Sequence, residues 1–160
     1  MLKIKSTGLC WLWVTVIILL LDRTTKYFAQ KYLLAYYALP ILPSFNLTLS
    51  FNKGAAFSFL NSAAGWQVWF FGCIAAIVSV GLIIALSRIS SRNRLLCIAL
   101  SLIVGGALGN LWDRITYGYV IDFIQLYLSD YYWPTFNIAD SAICLGAMLL
   151  LLNALKKTND

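Results

Sequence analysis

Apolar residues in this chain come in four long blocks, and the polar residues between them sit in short stretches, the layout of a chain that crosses a bilayer several times. The blocks cover about residues 9–28, 66–87, 95–112 and 138–155. At ~1.5 Å of rise per residue, each approaches or exceeds a hydrocarbon core of ~30 Å. The first block follows Lys3 and Lys5 in the manner of a secretory signal, yet Asp22-Arg23-Thr24-Thr25-Lys26 comes after Leu21 in place of a small-x-small cleavage site. It is read as an uncleaved span. The expected fold is an all-α membrane protein with four transmembrane helices, one integral membrane domain over residues 1–160, with outer segments at 29–65 and 113–137.

Between Ser44 and Asn52 the period changes to two, since Ser-Phe-Asn-Leu-Thr-Leu-Ser-Phe-Asn alternates polar and apolar without a break. That alternation predicts a half-buried strand with Phe45, Leu47, Leu49 and Phe51 on one face, lying on the membrane surface within a small extracytoplasmic β-sheet. The other outer segment carries Tyr117, Tyr119, Tyr127, Tyr131, Tyr132 and Trp133, amphipathic rings that favour the boundary between lipid and water.

Basic residues orient the spans. Lys3, Lys5, Arg88, Arg92, Arg94, Lys156 and Lys157 fall on one side of a four-pass topology, the cytoplasmic side by the positive-inside rule, so both termini are expected there. Arg23, Lys26, Lys31, Lys53 and Arg114 fall on the other side but are spread over longer segments. The net charge of +6 thus follows the topology and forms no basic stripe with interleaved aromatics. Nucleic acid is not expected as a partner. No obligate protein partner is evident either.

Composition narrows the chemistry. With 61% hydrophobic and 11% charged residues the chain lies outside the balance of water-soluble domains. It contains no histidine and no glutamate, which excludes a Ser-His-Asp or Cys-His site and His-ligated zinc. Carboxylate work falls to Asp22, Asp113, Asp122, Asp130, Asp140 or Asp160. Cys10, Cys73, Cys97 and Cys144 each stand alone in apolar sequence, read as packed thiols without metal or disulfide partners.

The candidate residues each carry two readings. Asp22 and Lys26, four apart with the acid first, make a helical ion pair that anchors a helix end, or Lys26 serves as base for a serine. Gly105-Gly106-Ala107-Leu108-Gly109 lets helices approach closely, and Asn110 one turn from the outer end turns its amide toward another helix. Arg114 pairs with Asp113 or points at a substrate carbonyl. Asp122, inside the apolar run Val120–Ile124, is a half-buried partner of Arg114 or a working carboxylate. Asp140 stands three residues after Asn137, the N3 place of a helix capped by that asparagine. Yet the topology gathers Asp22, Asp113, Asp122 and Asp140 at one face. Two carboxylates held close share a proton and hydrolyse peptides without metal or covalent nucleophile.

The blocks Asp22-Arg-Thr-Thr-Lys26, Phe51-Asn52-Lys53-Gly54-Ala55-Ala56-Phe57, Gly106-Ala-Leu-Gly109-Asn110-Leu-Trp-Asp113-Arg114, Val120-Ile-Asp122-Phe123 and Phe136-Asn137-Ile-Ala139-Asp140-Ser141 resemble, in order and spacing, the motif boxes of lipoprotein signal peptidase (signal peptidase II), a family of bacterial aspartyl membrane proteases. Ile121 stands where valine is commoner in that family. The resemblance implies Asp122 and Asp140 as the catalytic pair. It implies Asn52, Gly54, Asn110, Arg114, Asn137 and Ala139 along the substrate cleft, with Asp22, Lys26 and Asp113 in support. It further implies an endopeptidase that needs no metal or cofactor and acts in the bacterial plasma (inner) membrane with its active site at the outer face. Its substrate would be a prolipoprotein bearing a diacylglyceryl cysteine, met in the presence of membrane lipid and cut just before that cysteine. Two rivals stand beside it: a transporter or ion-pathway subunit, which predicts acidic residues at mid-span, and a serine–lysine peptidase using Lys26 or Lys53.

Overall fold

The computed structural model describes residues 6–54 and 65–158. Lys3, Lys5, Ala55, Ala56, Phe57 and Asp160, used in the sequence reading, lie outside the described residues. A single 3₁₀ turn, Gly8–Trp11, leads into α1 (Leu12–Tyr32). Strands β1 (Ala38–Leu42) and β2 (Phe45–Asn52) follow, then α2 (Trp66–Arg88) and α3 (Arg94–Tyr117). Strands β3 (Val120–Leu128) and β4 (Tyr131–Tyr132) precede α4 (Ile138–Thr158). Among the described residues four helices are long and apolar enough to cross a membrane. In α2, α3 and α4 the apolar residues run around the whole circumference, whereas α1 turns a polar stripe of Thr15, Asp22 and Lys26 inward, and outward side chains such as Leu20, Ile77, Val80 and Leu151 meet lipid.

Helix α3 is the axis of the bundle, packed against each of the other three and far more buried than they are. Small residues make that possible. A Cβ on Gly105 would lie 2.9 Å from Ile18 Cβ of α1, and one on Gly106 would overlap the Ala139 carbonyl of α4. Without water to drive apolar association inside a bilayer, such close backbone approach carries the helix packing. Helix α3 stops at Gly118, whose left-handed backbone (φ 75°) lets its N–H return to the Arg114 carbonyl at 3.1 Å. That stop feeds β3 back over the end of the bundle.

The four strands form one antiparallel sheet in the order β1-β2-β3-β4. It packs on the end of α1 through a core of Ala29, Leu49, Ile121 and Phe123. The strand predicted from the alternating sequence forms, but its two faces are not divided as the alternation implies. Leu47 pairs with Ile124 and Ser50 with Asp122, so two residues of β2, Thr48 and Leu49, stand opposite the single residue Phe123. This bulge inverts the side-chain parity partway along the strand. Asn46 and Thr48 are buried before it and Leu49 after it, while Phe45, Leu47 and Phe51 are only half-buried. The buried polar pair is satisfied: Asn46 Nδ2 and Thr48 Oγ1 both donate to Gln125 Oε1, each at 3.2 Å.

Candidate active site

At the sheet end of the bundle the structure brings together every site residue named from the sequence. Helix α1 contributes Asp22 and Lys26, α3 contributes Asn110, Asp113 and Arg114, β2 and the following turn contribute Asn52 and Gly54, β3 contributes Asp122, and the start of α4 contributes Asn137, Ala139 and Asp140. Asp22, Lys26, Asp113, Asp122 and Asn137 are each no more than 1% exposed. Side chains so polar are buried only where partners replace water.

Asp22 and Asp113 are held by cations. Lys26 Nζ donates to Asp22 Oδ2 at 2.8 Å and to Asn110 Oδ1 at 3.1 Å, and pairs with Asp113 Oδ2 at 2.7 Å. An ammonium has three donors, and all three are engaged. Arg23 closes the cluster as a second partner of Asp113. The remaining oxygen of Asp22 accepts the Ala139 N–H at 3.1 Å, one of the four amides at the start of α4 that have no partner within the helix. Gly109 makes room for this, since a Cβ there would lie 2.8 Å from Asp22 Oδ2. The helical ion pair read from the sequence is therefore a four-charge cluster that locks α1, α3 and α4 together.

Among the described residues Arg114 forms an ion pair with neither Asp113 nor Asp122. Neighbours in a helix point apart, so Asp113 turns to α1 while Arg114 turns to the cleft. Its Nη2 donates to the Gly54 carbonyl at 2.9 Å and its Nη1 to the Asn110 carbonyl at 3.3 Å. Its guanidinium lies over the Phe71 ring, and its buried Nε has no hydrogen-bond partner among the described residues.

Asp122 and Asp140 are held by amides. Asn52 Nδ2 donates to Asp122 Oδ2 at 3.1 Å and Asn137 Nδ2 to Asp122 Oδ1 at 2.7 Å. The β2 bulge puts Asn52 there. By shifting parity it sets Ser50 and Asn52 on the face of the sheet that carries Asp122. Asn137 caps α4, accepting the Asp140 N–H at 2.9 Å, and its own N–H returns to Asp140 Oδ2 at 3.2 Å, a reciprocal capping box. The helix start read from the sequence is thus present. The second oxygen of Asp140 accepts Asn110 Nδ2 at 2.8 Å. Asn137 therefore touches both carboxylates, and Asn110 ties the pair to Lys26. Burial, reinforced by the neighbouring charge of Asp140, pushes the Asp122 carboxyl up to about 8.

Asp140 is the open member of the pair. It lines a cavity of about 320 Å³ with Leu126, Trp133, Phe136 and Cys144. It also lines one of about 220 Å³ with Phe71, Ile74, Asn110 and Arg114. The contribution that the sequence reading missed is Arg23, treated there only as a scattered basic residue. Its signal was present in the three-residue spacing from Lys26, which places both cations on one face of α1.

A multi-pass helical membrane protein with a small sheet and a buried carboxylate site is the class that fold and geometry define. The sequence profile for signal peptidase (SPase) II matches residues 14–156. The lipoprotein signal peptidase of Photorhabdus laumondii is 50% identical over 151 residues, covering 94% of this chain and 90% of the relative. That of Alteromonas mediterranea is 46% identical over 157 residues, covering 98% and 86%. Two solved structures, each a bacterial membrane enzyme obtained by the in meso method, superpose with TM-scores of 0.83 and 0.80 at 32% and 31% identity. They cover 93% and 92% of this chain, and 89% and 93% of their own. The chain belongs to the signal peptidase II family, and its activity is the proteolytic removal of signal peptides from prolipoproteins.

Proposed function

We propose that this signal peptidase is an aspartic endopeptidase in which Asp122 and Asp140 are the catalytic pair. The observation that carries the reading is Asn137, one residue hydrogen-bonded to both carboxylates, which holds them as a unit without neutralising either. With Asp122 raised to about 8, one proton stays with the pair at neutral pH, the state such chemistry requires. The ionised carboxylate takes a proton from water as the water oxygen attacks the scissile carbonyl carbon, and the protonated one donates to the carbonyl oxygen. The tetrahedral intermediate collapses when the C–N bond breaks and the departing nitrogen takes a proton from the pair. No acyl-enzyme forms. The engaged donors of Lys26 argue against a serine–lysine dyad built on it.

The other assignments follow from the same arrangement. Arg114, whose Nε has no partner among the described residues, and Asn110 line the smaller cavity on the path of the substrate backbone, and Asn52, Gly54, Asn137 and Ala139 lie behind that path, holding its polar groups in place. The apolar walls on both sides of Asp140 suit a peptide whose cysteine carries diacylglycerol, with cleavage before that cysteine. The basic residues at the far end support cytoplasmic termini and an active site at the outer face of the bacterial plasma membrane. The test is incubation of the purified protein in H₂¹⁸O with a synthetic prolipoprotein peptide, diacylated or not, and mass analysis of the products. One ¹⁸O in the carboxyl group of the released signal peptide, only with the diacylated substrate, is expected. Cleavage elsewhere, or equal cleavage without the lipid, would overturn the reading.

A further inference from the structure

The opposite end of the bundle holds a second built feature that the peptidase chemistry does not use. The α2–α3 connection is very short, and it is fastened to the segment before α1 at three points. Gly8 N donates to the Ile89 carbonyl at 2.8 Å, Ser91 N to the Ser6 carbonyl at 3.0 Å, and the Trp11 indole Nε1 to the Ser91 carbonyl at 3.1 Å. Gly8 is pressed so closely beneath this connection that a Cβ would lie 2.9 Å from the Leu86 carbonyl and 3.0 Å from Cys97 Sγ. The result is a fixed platform at a helix-bundle end.

On that platform lies an open cavity of about 440 Å³ lined by Cys10, Trp11, Trp13, Ser91, Arg92 and Arg94. Neither guanidinium is ion-paired among the described residues, whose acidic side chains sit at the sheet end or, as Asp130, in the β3–β4 turn. Two unneutralised guanidiniums two residues apart, beside two indoles whose ring centroids are 6.0 Å apart, combine an anion site with rings that favour the lipid–water boundary. The exposed side chains of Trp13, Val16 and Ile17 continue from the cavity along α1 toward the bilayer interior. A ligand with a phosphate at one end and hydrocarbon at the other matches that sequence of surfaces.

We propose that this cavity binds the phosphodiester headgroup of an anionic phospholipid, with Arg92 and Arg94 on the phosphate and its acyl chains along α1. Basic pockets of this kind between transmembrane helices hold acidic headgroups in general. The inference is independent of the catalytic assignment, because its readout is binding. The full-length protein in an uncharged detergent is titrated with dioctanoyl-phosphatidylglycerol, dioctanoyl-phosphatidylcholine or inorganic phosphate, followed by thermal unfolding and by native mass spectrometry. Phosphatidylglycerol is expected to bind and raise the unfolding temperature, while phosphatidylcholine and phosphate have little effect. The doubly substituted Arg92→Gln, Arg94→Gln protein should bind phosphatidylglycerol roughly 10- to 30-fold more weakly. A charge-matched control, Arg88→Gln with Lys156→Gln, removes two positive charges from the same end and leaves the cavity intact. An equal loss in that control would reduce the effect to general attraction and overturn the site. Saturation by phosphate alone at the same concentrations would overturn the lipid assignment in favour of a free anion.

Discussion

Two pairs of aspartates lie at the same end of this bundle, linked through Asn110 and differing in what surrounds them. Asp22 and Asp113 are matched by Lys26 and Arg23, so each charge has an opposite charge against it. Asp122 and Asp140 are matched by the amides of Asn52, Asn110 and Asn137. A cation holds a carboxylate in place and offsets its charge, whereas an amide holds it in place and adds no charge. On the proposed reading, the first pair is a fastening between helices and the second is the pair that exchanges a proton. Polar burial alone does not separate the two. The partner's charge does.

The sharpest way to break that comparison is to remove one proton carrier without changing its size. Asp122→Asn and Asp140→Asn should each lower turnover by at least ~10³-fold, with the double substitution no worse than either single one, because groups that act as a unit lose their effect together. For Asp140→Asn, unfolding in detergent should stay near that of the parent, since asparagine serves a helix N-terminus well. Asp130→Asn, in the exposed β3–β4 turn, should retain full activity. Substantial turnover by either dyad variant, measured on protein expressed in a host lacking its own peptidase, would end the assignment.

The next largest effect should come from the fastening pair and should fall on stability. Lys26→Met leaves two buried carboxylates with only Arg23 to balance them and should cost about 3–5 kcal/mol, the range for breaking a buried ion pair from one side. Thermal unfolding of the purified variant checks this. A stable, inactive Lys26→Met protein would move the lysine from fastening to chemistry.

Two smaller effects concern pH. Because the Asp122 carboxyl titrates at about 8, activity should fall as pH rises through that value, where the pair loses its shared proton. Removing Asn52, whose hydrogen bond favours the ionised form, should move this limb to higher pH in Asn52→Ala, by about one unit or less. A limb moved to lower pH would contradict the hydrogen-bond assignment. For stability the sign is the reverse of the usual carboxylate case. A raised carboxyl contributes stability that is fully present below its unfolded value near 3.8 and is lost as pH rises to about 8. The unfolding temperature of Asp122→Asn should therefore gain on the parent between those limits and run parallel to it above them.

Much of this was legible in the residues. The four spans followed from block length, and the helix start at Asn137 and Asp140 followed from spacing and is present as a reciprocal cap. The division of labour among the aspartates was not legible without family likeness. Asp22 reads as the partner of Lys26, but nothing near Asp113 in sequence shows that it faces Arg23 on another helix. Asp122 could be set against Arg114 on equal terms with catalysis because amide partners seventy and fifteen positions away, Asn52 and Asn137, leave no local trace. The faces of β2 were misdivided for a related reason. Alternation gives the period of a strand, while a bulge is a property of two strands at once and appears only when β3 is laid beside it.

That bulge also sets a rule for how the chain tolerates changes in length. Upstream of Thr48 a hairpin can gain or lose a pair of residues and still enter the bulge in the same phase. If β2 paired without the bulge at its present length, Asn52 would fall on the far face, away from Asp122, whereas loss of a single residue at Thr48 or Leu49 would restore plain alternation and keep Asn52 opposite Val120 on the Asp122 face. The stretch between the β1–β2 turn and the site can therefore change length in steps of two with the bulge kept, or by one residue with the bulge absorbing the difference, so what the site requires of this strand is a number of residues as much as their kind.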